Sequence, residues 1–219
     1  MRTAEITRIL EDAVCERRLL THPFYRRWEA GELSMDELAA YAAQYRHFEA
    51  VLPEVLAAAS AQLPQGRARA LVESNLADEL GVPVAHLALF DDFADAVGAS
   101  AADPAPATRA LVELYREALA TGGAAAVLGA IGAYEVQSAD IASSKAEGLR
   151  LHYGIAAAGT AFWDVHASMD DVHAGWTADA LAALDSPPAE VSAAAWRAAE
   201  AWWAFLDERQ AEAFVPAPC

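Results

Sequence analysis

His166 is followed four and seven residues later by Asp170 and His173, within the stretch FWDVHASMDDVHAGW that runs from Phe162 to Trp176. Side chains at that spacing share one face of an α-helix, so two imidazoles and a carboxylate point the same way. Phe162, Trp163, Val165, Met169 and Val172 surround them and leave no ordinary solvent face. A nitrogen–oxygen–nitrogen donor set in apolar surroundings suits a divalent first-row transition metal better than calcium or magnesium. Two histidines and an aspartate on one helix serve equally as hydrogen-bonded core or surface residues, so the triple alone leaves both readings open.

Three further groups stand where they invite the same chemistry. Glu79 precedes His86 by seven residues in NLADELGVPVAH, and Glu135 closes the apolar run Ala124–Tyr134. A carboxylate after so many small apolar residues is costly to bury unless it is paired or bound to a metal. Glu79, His86, Glu135, His166, Asp170 and His173 together supply three carboxylates and three imidazoles from separate helices. That is the inventory of a carboxylate-bridged dimetal site in a helical bundle, although the usual bundle builds it from Glu-x-x-His pairs. Two irons ~3.5–4 Å apart share carboxylate bridges and divide the two-electron steps of dioxygen reduction.

The elements that must position these groups are helices. Thr3–Leu20 has apolar residues at helical spacing, and the segment THPFYRRWEAGELS, interrupted by Pro23 and Gly31, reads as a connecting loop carrying His22, Phe24, Tyr25 and Trp28. Ser34 with Glu37 forms a capping box that starts a helix to about Leu52, where Pro53 ends it and begins another to about Leu63. Tyr41, Tyr45, Phe48 and Leu52 make one stripe along it, with Glu49 at its margin, free to reach solvent or the interior. Further helices are expected over Arg67–Leu80, closed by Gly81 and Pro83, then His86–Val97, Ala107–Ala120, Ala124–Gly148, Gly154–Val172, Thr177–Leu184 and Ala189–Phe214. No β-branched run alternates with period two, so the fold class is all-α, a single domain spanning residues 1–219.

Bulk composition narrows the partners. The chain is 55% hydrophobic and 21% charged, as expected of a compact helical protein. Its net charge of −17, with only 15 Lys and Arg spread along the chain, argues against nucleic acid. The apolar run before Glu135 is about half of the ~20 residues that a membrane span needs, so it reads as a buried core helix and no membrane partner is expected. Cys15 and Cys219 make no metal or redox spacing, and the charged N-terminus is unlike a secretory leader, which points to a cytoplasmic location. The tryptophan-rich last helix is the surface on which a homodimer would form.

The chain resembles the haem-oxygenase-like dimetal oxidases and oxygenases, most closely their CADD-like branch, whose members form para-aminobenzoate. The resemblance runs from THPFYRRWEAGELSMDELAAYAAQY through NLADELGVPVAH and YEVQSADIASSKAEGL to HASMDDVH, nearly the whole chain. It implies a haem-oxygenase-like bundle of about seven core helices, related to the TenA and PqqC folds. It also implies two iron ions, or an iron–manganese pair, held by Glu79, His86, Glu135, His166, Asp170 and His173, with O2 as co-substrate and an external reductant as electron donor. Tyr25 matches the tyrosine consumed as the aromatic source in that branch, and Lys145 the lysine that donates its amino group. Tyr41 and Tyr134 match pocket tyrosines.

The helix after the capping box departs from that branch, reading QYRHFEAVLP where its relatives are more apolar. Glu49 is thereby placed to pair with a substrate ammonium and Arg46 or Lys145 with a carboxylate, as a free amino acid would require. The leading expectation is therefore a diiron enzyme that uses O2 to oxidise a small amine-bearing substrate by desaturation, C–C cleavage, N-oxygenation or cyclisation. The alternatives are self-sacrificing para-aminobenzoate formation from Tyr25 and Lys145, and a helical binding module without redox chemistry.

Overall fold

The computed structural model describes residues 2–81 and 84–212, and every regular element among them is helical. The α-helices are α1 (Thr3–Val14), α2 (Pro23–Glu29), α3 (Met35–Gln62), α4 (Arg67–Leu80), α5 (His86–Ala96), α6 (Pro106–Tyr153), α7 (Ala157–Ala183) and α8 (Pro188–Glu212). Two 3-10 turns, Cys15–Arg17 and Leu19–Thr21, join α1 to α2. Pro83 and Phe214, expected at a helix boundary and a helix end, lie outside the described residues.

The axis of the molecule is α6. Its apolar run from Val127 to Ala133 is almost wholly buried, because α3, α7 and α8 pack around it and α1 covers part of it. The break expected between Ala120 and Ala124 is present as a kink at Gly123, whose φ of 66° and ψ of −163° leave helical space and suit glycine alone.

Several expected boundaries move for identifiable reasons. Segment 23–29 is a helix rather than a loop: Pro23 stands at its first turn, where its missing N–H costs nothing, and His22 Nδ1 accepts from the Phe24 N–H at 3.1 Å. This fixes Tyr25 on a rigid element. Helix α3 runs through Pro53 without ending, so the helix loses only the bond that residue 53 would have given to the Glu49 carbonyl. Gly175 likewise does not interrupt α7, which carries Phe162 through Leu181 as one rod of 27 residues. By contrast, α1 stops at Val14, six residues earlier than its apolar pattern suggested, and continues as the two 3-10 turns. The Ser34–Glu37 capping box forms as expected, with both reciprocal bonds in place.

Candidate metal centre

Four helices deliver the six expected donors to one place. α4 presents Glu79 in its last turn, α5 begins at His86, α6 carries Glu135, and α7 carries His166, Asp170 and His173. Each of the six is at most 9% exposed. One ligand atom each from Glu79, His86 and His166 lies within 4.8 Å of the others, and the His86 and His166 rings are 4.6 Å apart. Two imidazoles and a carboxylate are a donor set typical of ferrous oxygen-activating sites.

The second half of the cluster is Glu135, Asp170 and His173. His173 Nδ1 is 3.5 Å from Asp170 Oδ1, and its other nitrogen, Nε2, is 3.1 Å from Asp78 Oδ2. A ring that donates to Asp78 through Nε2 turns the lone pair of Nδ1 inward beside Asp170. This is the carboxylate–histidine pairing that fixes tautomer and orientation in metal sites. His166 is held in the same manner: its Nδ1 is 2.9 Å from the Phe162 carbonyl, which leaves Nε2 for a cation. Asn75 Nδ2 donates to Glu135 Oε1 at 2.8 Å, while Glu135 Oε2 is buried without a partner. An orphaned carboxylate oxygen facing histidines and other carboxylates fits a cation-binding role. The donor set therefore fits iron.

Electrostatics point the same way. Burial pushes the Glu135 carboxyl up to about 7, against the pull of Thr177, His173 and Asn75. His173 is raised to about 9: burial opposes its charge, but Asp170, Glu135 and Asp78 outweigh that. Glu49 on α3 also lines this pocket, and burial, then the charges of Glu79 and Asp170, raise it well above an ordinary carboxyl. The cavity volume of this pocket is only about 20 Å³.

A second cluster adjoins the first. Lys145, the only lysine in the chain, is 1% exposed. Its Nζ donates to the Tyr41 hydroxyl at 2.6 Å and stands 4.5 Å from the Tyr25 ring centre and 4.1 Å from that of Trp163, with Trp28 and Tyr45 completing a cage. Burial draws its pKa well below that of a free lysine, opposed only by Glu49. The Tyr25 and Tyr41 hydroxyls are 2.9 Å apart, and those of Tyr45 and Tyr134 are 2.6 Å apart. Tyr45 thus touches both clusters, since Tyr134 lines the metal pocket while the Tyr45 ring faces Lys145.

Eleven of the twelve expected site residues thus gather in these two adjoining clusters. Tyr25, Tyr41 and Lys145 form the cage, Tyr134 and Glu49 line the metal pocket, and only Arg46 lies elsewhere on the same helix. One residue past Tyr45, it leaves the inward stripe and makes a two-bond pair with Asp91 at 2.5 and 3.0 Å, half exposed at the mouth of an outer groove. A direct role for Arg46 in the metal pocket is therefore at odds with the structure. The orienting groups Asn75, Asp78 and Thr177, and the junction residue Tyr45, were not anticipated. Asn75 one turn before Glu79 and the uniqueness of Lys145 were the available signals.

Comparison with known proteins gives the family and the fold. The family described as iron-containing redox enzymes matches residues 39–203. A 4-aminobenzoate synthase of Nitrosomonas europaea is 34% identical over 94% of this chain and 92% of its own length. A 4-aminobenzoate synthase of Chlamydia pneumoniae is 30% identical over 80% of this chain and 81% of its own. Among solved structures, a CADD-like protein of unknown function from Nostoc punctiforme superposes with a TM-score of 0.80 at 20% identity, covering 97% of this chain and 99% of that one. A TenA homologue from Pseudomonas syringae gives 0.77 at 18% identity, covering 92% and 91%.

Proposed function

Because this chain belongs to the iron-containing redox enzymes of haem-oxygenase-like fold and is an oxidoreductase, we propose that it makes 4-aminobenzoate from its own Tyr25, with Lys145 as the source of the amino nitrogen. Membership in a redox family removes the reading of a redox-silent binding module. Glu79, His86, Glu135, His166, Asp170 and His173 would hold two iron ions, which supply oxidising power from O2 once an external donor has reduced them.

The observation that carries this reading is the enclosure of Tyr25 and Lys145 together. Each is 1% exposed, the amine lies 4.5 Å from the phenol ring, and the cage abuts the metal pocket. The aromatic walls exclude water and bias the amine toward its neutral form, whose lone pair is available as a nucleophile. Tyr41 accepts one amine N–H and bonds the Tyr25 hydroxyl, which orients donor nitrogen and acceptor ring relative to one another. The phenol ring and Cβ of Tyr25 supply the seven carbons of the product.

A free amine-bearing substrate is the second reading, favoured by the buried carboxylate of Glu49, which no arginine or lysine pairs among the described residues. Against it stands a cavity volume of about 20 Å³, room for little more than one water on that measure.

The unique lysine makes the test direct. Protein produced with lysine labelled with ¹⁵N at Nε is given ferrous iron, a reductant and O2. The expected outcome is 4-aminobenzoate carrying ¹⁵N, at most one per chain, with a matching loss of mass at Tyr25 and Lys145. Unlabelled product would remove Lys145 from the reaction. Full multiple-turnover activity of Tyr25→Phe on an added amino acid would establish the second reading instead.

A further inference from the structure

Glu49 remains without a counter-charge. Its side chain is 3% exposed and lines the same pocket as Glu79, Glu135, His166, Asp170 and His173. Among the described residues no arginine or lysine forms an ion pair with it, and the one cation that faces it electrostatically, Lys145, is driven toward its neutral form by burial. A carboxylate buried among like charges persists only if it is protonated or set against a cation.

Its position is built rather than accidental. Tyr41, Tyr45 and Glu49 follow one another at intervals of four along α3, so the lysine cage, the junction tyrosine and the carboxylate share one helix face. The Tyr45 hydroxyl bonds the Tyr134 hydroxyl at 2.6 Å, and Tyr45 favours the charged form of Glu49, one helical turn on. Asn75 plays the same part for Glu135, where one carboxylate oxygen is held and the other is left unpartnered. Glu49 lines one pocket with members of both halves, Glu79 and His166 of the one and Glu135, Asp170 and His173 of the other. Pro53 withholds an N–H from the Glu49 carbonyl, which frees this turn of α3 from one backbone constraint.

We infer that Glu49 is a further carboxylate ligand of the metal pair, seated between the Glu79–His86–His166 half and the Glu135–Asp170–His173 half. The inference rests on the two-metal reading above. Charge supports it: with Glu49 the site offers four carboxylates, which neutralise two divalent ions, whereas Glu79, Glu135 and Asp170 alone would leave one positive charge in a dry interior. It also takes Glu49 away from any substrate ammonium and ties metal loading, through Tyr45, to the lysine cage.

The test uses Mn(II) as a redox-silent probe, titrated calorimetrically into the metal-free full-length protein, with thermal unfolding recorded before and after loading. Wild type is expected to bind two ions. Glu49→Gln should be as stable as wild type or more so without metal, since a neutral amide replaces a carboxyl whose charged form burial disfavours. It should bind the weaker of the two ions at least about tenfold less tightly and gain less thermal stability on loading. Glu49→Asp keeps the charge but shortens the reach by one methylene, and should show the same loss if direct ligation is the role. Wild-type dissociation constants in both variants would overturn the inference and leave the two-metal reading intact. So would a loss in Glu49→Gln with wild-type binding by Glu49→Asp, which would make Glu49 a remote charge. Wild type binding fewer than two ions would overturn both.

Discussion

At the scale of single residues, the candidate donor cluster stores protons where ligation would need lone pairs. His173 is raised to about 9 and Glu135 to about 7, so at neutral pH the metal-free protein carries a proton on His173 and a partly protonated Glu135. Both must leave before these groups can ligate. Metal affinity should therefore rise with pH and level off above about 9, with measurable proton release at pH 7.5. Calorimetry in buffers of different ionisation heat checks this, and zero release would contradict it. The metal-free fold behaves oppositely. A histidine raised on folding stabilises fully below its unfolded value and loses that contribution as pH climbs through about 9. A carboxyl raised to about 7 likewise favours the fold at low pH and ceases to do so as pH rises through that value. Metal-free thermal stability should accordingly fall between pH 5 and 9 through these two groups, while metal-induced stabilisation grows.

At the scale of elements, the cage depends on how closely α2 approaches α6. Trp28 lies against Gly148, where an added Cβ would stand 2.9 Å from Trp28 Cδ1, and its Nε1 donates to the Lys145 carbonyl. Gly148→Ala must push Trp28 off α6 and open the wall around Lys145, at a stability cost of about 1–3 kcal/mol. Product yield should fall more than the melting temperature implies, while binding of two metal ions persists, because Trp28 touches no ligand. A yield that merely tracks the folded fraction would deny the cage its role. The same junction marks where sequence reasoning stopped. The donors on α4, α6 and α7 were readable because helical spacing and unexplained burial of charge are local signals: the Arg67–Leu80 bounds match residue for residue, and Glu135 stands out after its apolar run. Pro23 misled because the same residue that breaks a helix interior also starts a helix, and only the contacts of His22 distinguish the two. The ends expected at Pro53 and at Val172 fail because the packing of α3 and α7 on α6 overrides a single unfavourable propensity. Asn75, Asp78 and Tyr45 stayed hidden because their importance lies in partners 60 to 95 residues away or on another helix.

At the scale of the whole molecule, burying a lysine amine sets a stability penalty that varies with pH. Lys145 is the chain's only lysine, and burial takes its pKa well below the free value, so the unfolded chain binds a proton that the fold does not. Stability then rises with pH from the folded pKa up to about 10.4, the value in the unfolded chain, and the penalty is absent above it. Lys145→Met fills a similar volume without the amine, and Tyr41 keeps its bond to Tyr25. The metal-free variant should therefore exceed wild type in urea midpoint at pH 7, with a gap that narrows at pH 8 and closes as pH approaches 10. Two parallel curves would mean that the amine stays charged in its cage. The narrowing gap would locate the fold's principal sacrifice in stability at the nitrogen that the proposed chemistry uses, while the variant itself should bind two metal ions and yield no 4-aminobenzoate.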